Sequence, residues 1–137
     1  MHNNNEANKI AAKKLLATIE RGEDFSPLLS ADATWWVPEA CALSGTYTIA
    51  ELMSAMAQLF AVYKSPPKFD LEYLTAEENR VAVFCSSTAE LVDGSRILNR
   101  YHFLFIFENG LIKAVKEFMN TAIANQVAER IVELQKE

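Results

Sequence analysis

Glu117 is the residue of this 137-residue chain whose neighbours best suit it to chemistry. It sits among apolar side chains in the stretch Asn99 to Thr121, NRYHFLFIFENGLIKAVKEFMNT, near the end of the second of two strand-like runs. A carboxyl enclosed by Phe, Val and Met loses solvation of its charged form, which raises its pKa toward the range useful for proton transfer. The two runs meet at Glu108-Asn109-Gly110, and Asn-Gly between alternating hydrophobic stretches is a strong hairpin signal because both residues tolerate positive φ. The loop length decides where Glu117 points, since a slip of one residue exchanges the two faces of a strand. A two-residue Asn109-Gly110 turn sets Glu117 opposite His102, on a face shared with Arg100, as a surface ion-pair partner. A three-residue loop from Glu108 to Gly110, with Gly110 left-handed in a bulge, sets it opposite Tyr101, beside Phe103, Val115 and Met119.

Other polar groups have bland readings beside the functional ones. Tyr101 and Asn99 could orient a substrate oxygen, yet a phenol in a long strand is commonly a satisfied core residue. Glu117 itself could be a structural acid bonded to Asn99, Tyr101 or water. Trp35 fits a pocket wall or a flat platform, while Trp36 faces the other way; both could equally be core or interface aromatics. His102, beside Arg100, Leu104 and Ile106, reads as a subunit-interface residue rather than a catalyst. No nucleophile motif, phosphate loop or metal-ligand cluster is present, so the sequence asks for neither cofactor nor metal. Cys41 and Cys85 lack metal-like spacing and a redox motif, and read as reduced residues of a cytoplasmic protein. A formal net charge of -5 argues against nucleic acid. The N-terminus shows no signal-peptide pattern, and the apolar runs are too short to span a bilayer.

The elements that must position these groups follow from periodicity. After a polar, disordered tail over 1–5, residues 6–21 repeat Ile10, Ala12, Leu15, Leu16 and Ile19 at helical spacing, with Gly22 as the stop. Ser26-Pro27 starts a short helix, residues 32–38 form a strand with two tryptophans, and Ser44-Gly45-Thr46 is a turn. Thr48 and Glu51 make a capping-box pattern for a helix running to Tyr63, whose apolar stripe reads as core. Phe69, Leu71 and Tyr73 then alternate with Lys68, Asp70 and Glu72; strands follow over 80–92, 95–107 and 111–120, and a helix over 121–137. Helices first and a meander after them predict one α+β domain over 1–137, its antiparallel sheet curved around the N-terminal helices with a ligand hollow between.

Two segments, IERGEDFSPLLSADATWWVPEACALSGTYT and VDGSRILNRYHFLFIFENGLIKAVKEFMNTA, resemble the SnoaL-like polyketide cyclase branch of the nuclear-transport-factor-2-like superfamily. The likeness runs from about Ala7 to Ala124 and implies a cone-shaped, strongly curved sheet. Ketosteroid isomerases of this fold carry a general-base aspartate where this chain has Val37, an oxyanion tyrosine at Leu15 and an oxyanion aspartate near Phe103. Limonene-epoxide hydrolases carry an Arg-x-Asp pair where Phe84-Cys85-Ser86 stands, although their third acid coincides with Glu117. The resemblance to SnoaL-like cyclases also puts a catalytic acid at Glu117, while the His-Trp that commonly precedes it is Val115-Lys116. It favours the three-residue loop. It implies a pocket lined by Asn99, Tyr101, Phe103, Val115, Glu117 and Met119, by Trp35 and Val37, and by Phe84, Ser86 and Thr88.

The resulting expectation is a small-molecule-binding protein for an apolar, oxygen-bearing ligand. Its chemistry would be cofactor-independent isomerisation, cyclisation or dehydration, with Glu117 as acid/base and Tyr101, Asn99 and Ser86 as hydrogen-bonding partners. The alternative is a non-catalytic binding or interaction module of the same fold. An apolar outer face on the hairpin, with Leu104, Ile106, Ile112, Ala114 and Phe118, points to a homodimer.

Overall fold

A computed structural model describes residues 4–136. Its elements are α1 (Asn5–Glu20), a short 3-10 helix (Ser26–Leu28), β1 (Leu29–Val37), β2 (Gly45–Thr48), α2 (Ile49–Phe60), β3 (Lys68–Glu77), β4 (Arg80–Glu90), β5 (Arg96–Glu108), β6 (Leu111–Met119) and α3 (Thr121–Gln135). Asn5 is helical, so the disordered tail expected over 1–5 does not hold there; residues 1–3 lie outside the described residues.

The apolar stripe of α1 buries Ala12, Leu15, Leu16 and Ile19, while Ile10 stays exposed. The helix stops in a Schellman pattern: Gly22, at φ 69°, donates to the Ile19 carbonyl and Glu23 to that of Thr18. The capping box of α2 forms as the sequence predicts. Thr48 accepts from the Glu51 amide, and the Glu51 carboxylate accepts from the Thr48 amide.

The six strands form one sheet in the order β2-β1-β6-β5-β4-β3. It is mixed rather than antiparallel, because β1 runs parallel to β6. The short β2, read from sequence as part of a loop, pairs with the other edge of β1 through Thr46, Tyr47 and Thr48. Its four residues carry too short an alternation to stand out as a strand. Helix α1 packs on β3 and β4, and α2 packs on β1 and β2.

Bulges interrupt the pairing and set which residues face inward. At the β5–β6 hairpin Glu108 pairs with Leu111, so the turn is the two residues Asn109 (φ 53°) and Gly110 (φ 80°), not the three-residue loop. Phe107 then pairs with Ile112 but Ile106 with Ala114, leaving Lys113 as an extra residue on β6. The inserted residue reverses the phase of the strand. Glu117 comes opposite Phe103, on the inner face, instead of opposite His102. A second bulge between Leu71 and Tyr73 turns Tyr73 outward, where it stacks on Phe84 at 6.4 Å.

The outer face is rich in rings. Trp36 meets Phe118 edge-on at 5.0 Å and Lys116 lies 5.9 Å over the Trp36 ring. Phe84 lies 6.3 Å from His102, and Tyr73 and Phe118 are 69% and 52% exposed. A contiguous apolar surface of this kind is costly to leave in water. We propose that a second copy of the chain covers it in an isologous contact. Sedimentation is expected to give a dimer at micromolar concentration, and a monomer there would overturn the proposal.

Candidate functional site

Every strand of the sheet contributes a side chain to one cavity, and β1, β5 and β6 carry the groups around Glu117. From β1 come Trp35 and Val37, from β5 Asn99, Tyr101 and Phe103, and from β6 Glu117 and Met119. The cavity they line has a volume of about 140 Å³, and its other walls include Ile19 of α1, Tyr47 of β2, Phe69 of β3, Ser87 and Ala89 of β4, and residues of α2, α3 and the segments around Cys41 and Tyr63. Parallel pairing sets Trp35 opposite Val115, two residues before Glu117 on the same face, so the indole reaches the carboxylate. Trp35 Nε1–H donates to Glu117 Oε1 at 2.8 Å. The ring is held by Phe25 at 6.1 Å and by the edge-on Phe103 at 6.4 Å.

Glu117 is half-buried on the cavity wall, where the surrounding protein strips water from its carboxyl. That burial pushes its carboxyl up to about 7, opposed by the Trp35 hydrogen bond, which favours the charged form. Sequence reasoning placed the acid but not this partner, because the two residues lie 82 positions apart and meet only through the β1–β6 pairing.

Four expected wall residues lie elsewhere. On β4 the buried residues are Val81, Val83, Cys85 and Ser87, so Phe84, Ser86 and Thr88 face outward. They pair with His102, Arg100 and Leu98 of the outer face. Both phases of this strand carry apolar side chains, so alternation alone left the choice open. The inward hydroxyl is Ser87, opposite Asn99. Val115 does face inward but belongs to the packed core around Phe105 rather than to the cavity wall.

Asn99 serves the backbone instead of a ligand. Its Oδ1 accepts from the Arg100 and Asn120 amides at 2.8 and 3.0 Å, and its Nδ2 donates to the Asn120 carbonyl at 3.1 Å. Asn120 in turn caps α3, accepting from the Ala122 and Ile123 amides. Tyr47 is committed as well, donating its hydroxyl to the Leu43 carbonyl. Tyr63, read from sequence as the end of the α2 stripe, lies beyond that helix and borders the cavity. Its placement comes from a bridge to Leu91 and from the Lys64 amide donating to the Glu90 carbonyl at 2.8 Å. Among the described residues no cluster of three or more His, Cys, Asp or Glu could hold a metal ion. Cys41 and Cys85 are free and buried. No helix among them is long and apolar enough to cross a membrane.

Comparison with known proteins identifies the family. Residues 14–115, well over half of the chain, match the SnoaL-like domain. The chain belongs to that family. The SnoaL-like domain here has the fold of several solved structures of low sequence identity. Bal32a, from a soil-derived mobile gene cassette, superposes with a TM-score of 0.79 at 18% identity, covering 91% of this chain and 98% of that one. TerC, crystallised with polyporic acid, gives 0.78 at 16% identity, covering 90% and 98%. An NTF2-like protein of unknown function from Burkholderia pseudomallei gives 0.78 at 16%, covering 88% and 96%. No curated protein matches the sequence.

The carboxyl that ionises near 7 here would ionise near 4.5 in the unfolded chain. Between those values the folded state binds more protons, so stability falls as pH rises through the window. Glu117→Gln removes the group and should gain stability over the wild type by about 3 kcal/mol between pH 4 and pH 8. Trp35→Phe, which deletes the donor, should move the midpoint of that wild-type loss to higher pH. Urea unfolding of the three proteins across this range checks both outcomes; a pH-independent difference between wild type and Glu117→Gln would contradict the assignment.

Proposed function

We propose that this SnoaL-like domain binds a small, mainly apolar, oxygen-bearing molecule and uses Glu117 for cofactor-independent proton transfer. The observation that carries the reading is a carboxyl with a pKa of about 7 in an apolar cavity, tethered by one oxygen to Trp35. A group titrating near neutral pH serves both as base and, once protonated, as acid. The indole tether fixes the carboxyl plane and leaves Oε2 for a ligand. Isomerisation, aldol-type cyclisation and dehydration all need such a group and no redox partner. A relative of this fold crystallised with polyporic acid supports a small-molecule role for the cavity. Two free, buried cysteines accord with a reducing, cytoplasmic setting.

The test uses two readouts on a panel of small ketones. Ligand binding is read as a rise in Tm, and proton transfer as uptake of deuterium beside the carbonyl in heavy water. Wild type should show both. Glu117→Gln should keep the Tm shift and lose about 10²–10⁴-fold in exchange rate. Exchange that survives Glu117→Gln would overturn the acid/base role, and a Tm shift with no exchange in wild type would mark a binding module instead.

A further inference from the structure

The cavity that Glu117 borders is lined by no positive charge. Among the described residues no lysine, arginine or histidine reaches its wall, and Glu117 enters no ion pair. The carboxyl makes one hydrogen bond within the protein, from the Trp35 indole to Oε1 at 2.8 Å, and Oε2 has no partner there. An indole orients a carboxylate but carries no charge to balance it. Buried charges are ordinarily paired, and here no side chain of the described residues supplies the pairing group.

Aromatic rings surround the carboxyl. Phe103 stands directly across the β5–β6 pairing from Glu117, where facing Cβ atoms lie about 4.5–5.5 Å apart. Its ring meets Trp35 at 6.4 Å, Tyr101 at 5.2 Å and Phe69 at 6.2 Å, and all four rings line the cavity. Other polar groups nearby are spent, the Tyr47 hydroxyl on Leu43 and the Asn99 amide on the backbone at Arg100 and Asn120. Glu117 is thus the one charged side chain that a ligand meets among the described residues.

A carboxylate set among aromatic rings suits an organic cation. The carboxylate takes a charge-assisted hydrogen bond, and the ring quadrupoles attract an ammonium group where water is scarce. The space limits the rest of the ligand, because about 140 Å³ is close to the ≈ 150 Å³ apolar cavity that holds benzene. A formal net charge of -5 also favours the approach of a cation.

We propose that the cavity binds a one-ring organic ammonium ion, whose N–H donates to Glu117 Oε2 and whose charge the carboxylate balances. Binding requires Glu117 only as an anion, so the inference goes beyond the acid/base reading and does not rest on it. The bound cation occupies the space that a ketone would take, and the two compete.

Binding is linked to protons, because the ionised carboxyl is the partner. Burial raises Glu117 to about 7, so below that pH the cation must displace a proton and its affinity falls about tenfold per pH unit. The other titratable groups on the wall are Cys41 after β1, Tyr47 of β2, Tyr63 beyond α2 and Tyr101 of β5. Burial raises all three phenols, which therefore stay neutral across this range. The three helices, β3 and β4 present no titratable side chain to the cavity among the described residues.

The experiment is calorimetric titration of the full-length protein with cyclohexylammonium chloride and with cyclohexanol, its neutral counterpart of the same ring. It is run at physiological salt and about pH 8, where an aliphatic ammonium stays protonated as lysine does. Wild type should bind the ammonium at least about tenfold more tightly than the alcohol, as for gain of a charge-assisted hydrogen bond. Glu117→Gln should still bind the alcohol and lose that preference. The wild-type Kd for the ammonium should rise about tenfold from pH 6 to pH 5, while that for the alcohol stays nearly constant. Alcohol bound as tightly as the ammonium, or no binding of either, would overturn the proposal. So would an ammonium affinity that Glu117→Gln leaves unchanged, which marks a general attraction to an acidic protein. None of these outcomes bears on the deuterium exchange that tests Glu117 as a base.

Discussion

The site depends on the phase of one strand. Lys113 is inserted into β6 where β5 has no counterpart, and every side chain beyond it changes face. Without that insertion the two-residue Asn109-Gly110 turn would carry Val115, Glu117 and Met119 to the outer surface, and Lys116 and Phe118 inward. With it, Val115 completes the core and Glu117 enters the cavity. The same displacement lets Trp36 and Phe118 meet on the opposite side of the sheet. A single extra residue thus decides both faces. The Lys113 ammonium, bonded to Glu108 at 2.7 Å, remains in solvent and requires no burial.

A carboxyl inside an apolar cavity is a liability that the surrounding fold tolerates rather than removes. Two routes would neutralise the strain, a nearby cation or full hydrogen bonding, and each would return the pKa toward that of an ordinary acid. Burial and one indole hydrogen bond are instead the influences on Glu117. An indole donates but carries no charge, so it orients the group while leaving its affinity for protons high. The remainder of the fold absorbs the cost through packed interior residues such as Leu15, Leu16, Phe105 and Ile112, each essentially fully buried. Fully burying such a side chain contributes about 1.5–3 kcal/mol.

Much of this was legible in the sequence, for local reasons. The stop at Gly22, the Thr48/Glu51 box and the presence of a hairpin at Asn109-Gly110 are short-range chemistry, and the structure forms all three, although the turn has two residues where the resemblance favours a three-residue loop. The α+β order and the family likeness were legible too. What sequence could not give was register. The resemblance implies Phe84, Ser86 and Thr88 inward, both faces of β4 carry apolar residues so alternation does not correct it, and only the burial of Val81, Val83 and Cys85 decides between the faces. The parallel contact of β1 with β6 was equally invisible, since no local pattern records which distant strand completes an edge. Tyr63 was missed because an aromatic at the end of a helical stripe looks like core until the chain beyond Phe60 turns toward Leu91. Bulges, edge pairings and the ends of helices are the places where tertiary context overrides pattern.

The parallel contact of β1 with β6 has a kinetic meaning. Trp35 and Glu117 stand 82 residues apart, and no hairpin brings them together. The β3–β6 meander can assemble by successive local turns, whereas β1 can dock only after the last strand has been laid down. Closing so long a segment carries an entropic cost that is met late, when the edge of β6 is already in place to receive it. On these grounds the indole and the carboxyl are expected to be among the last partners to meet as the chain folds. Both tryptophans of β1 enter the β1–β6 pairing together, so in a Trp36→Phe background the remaining indole, Trp35, would report optically on the docking of β1 that closes the cavity.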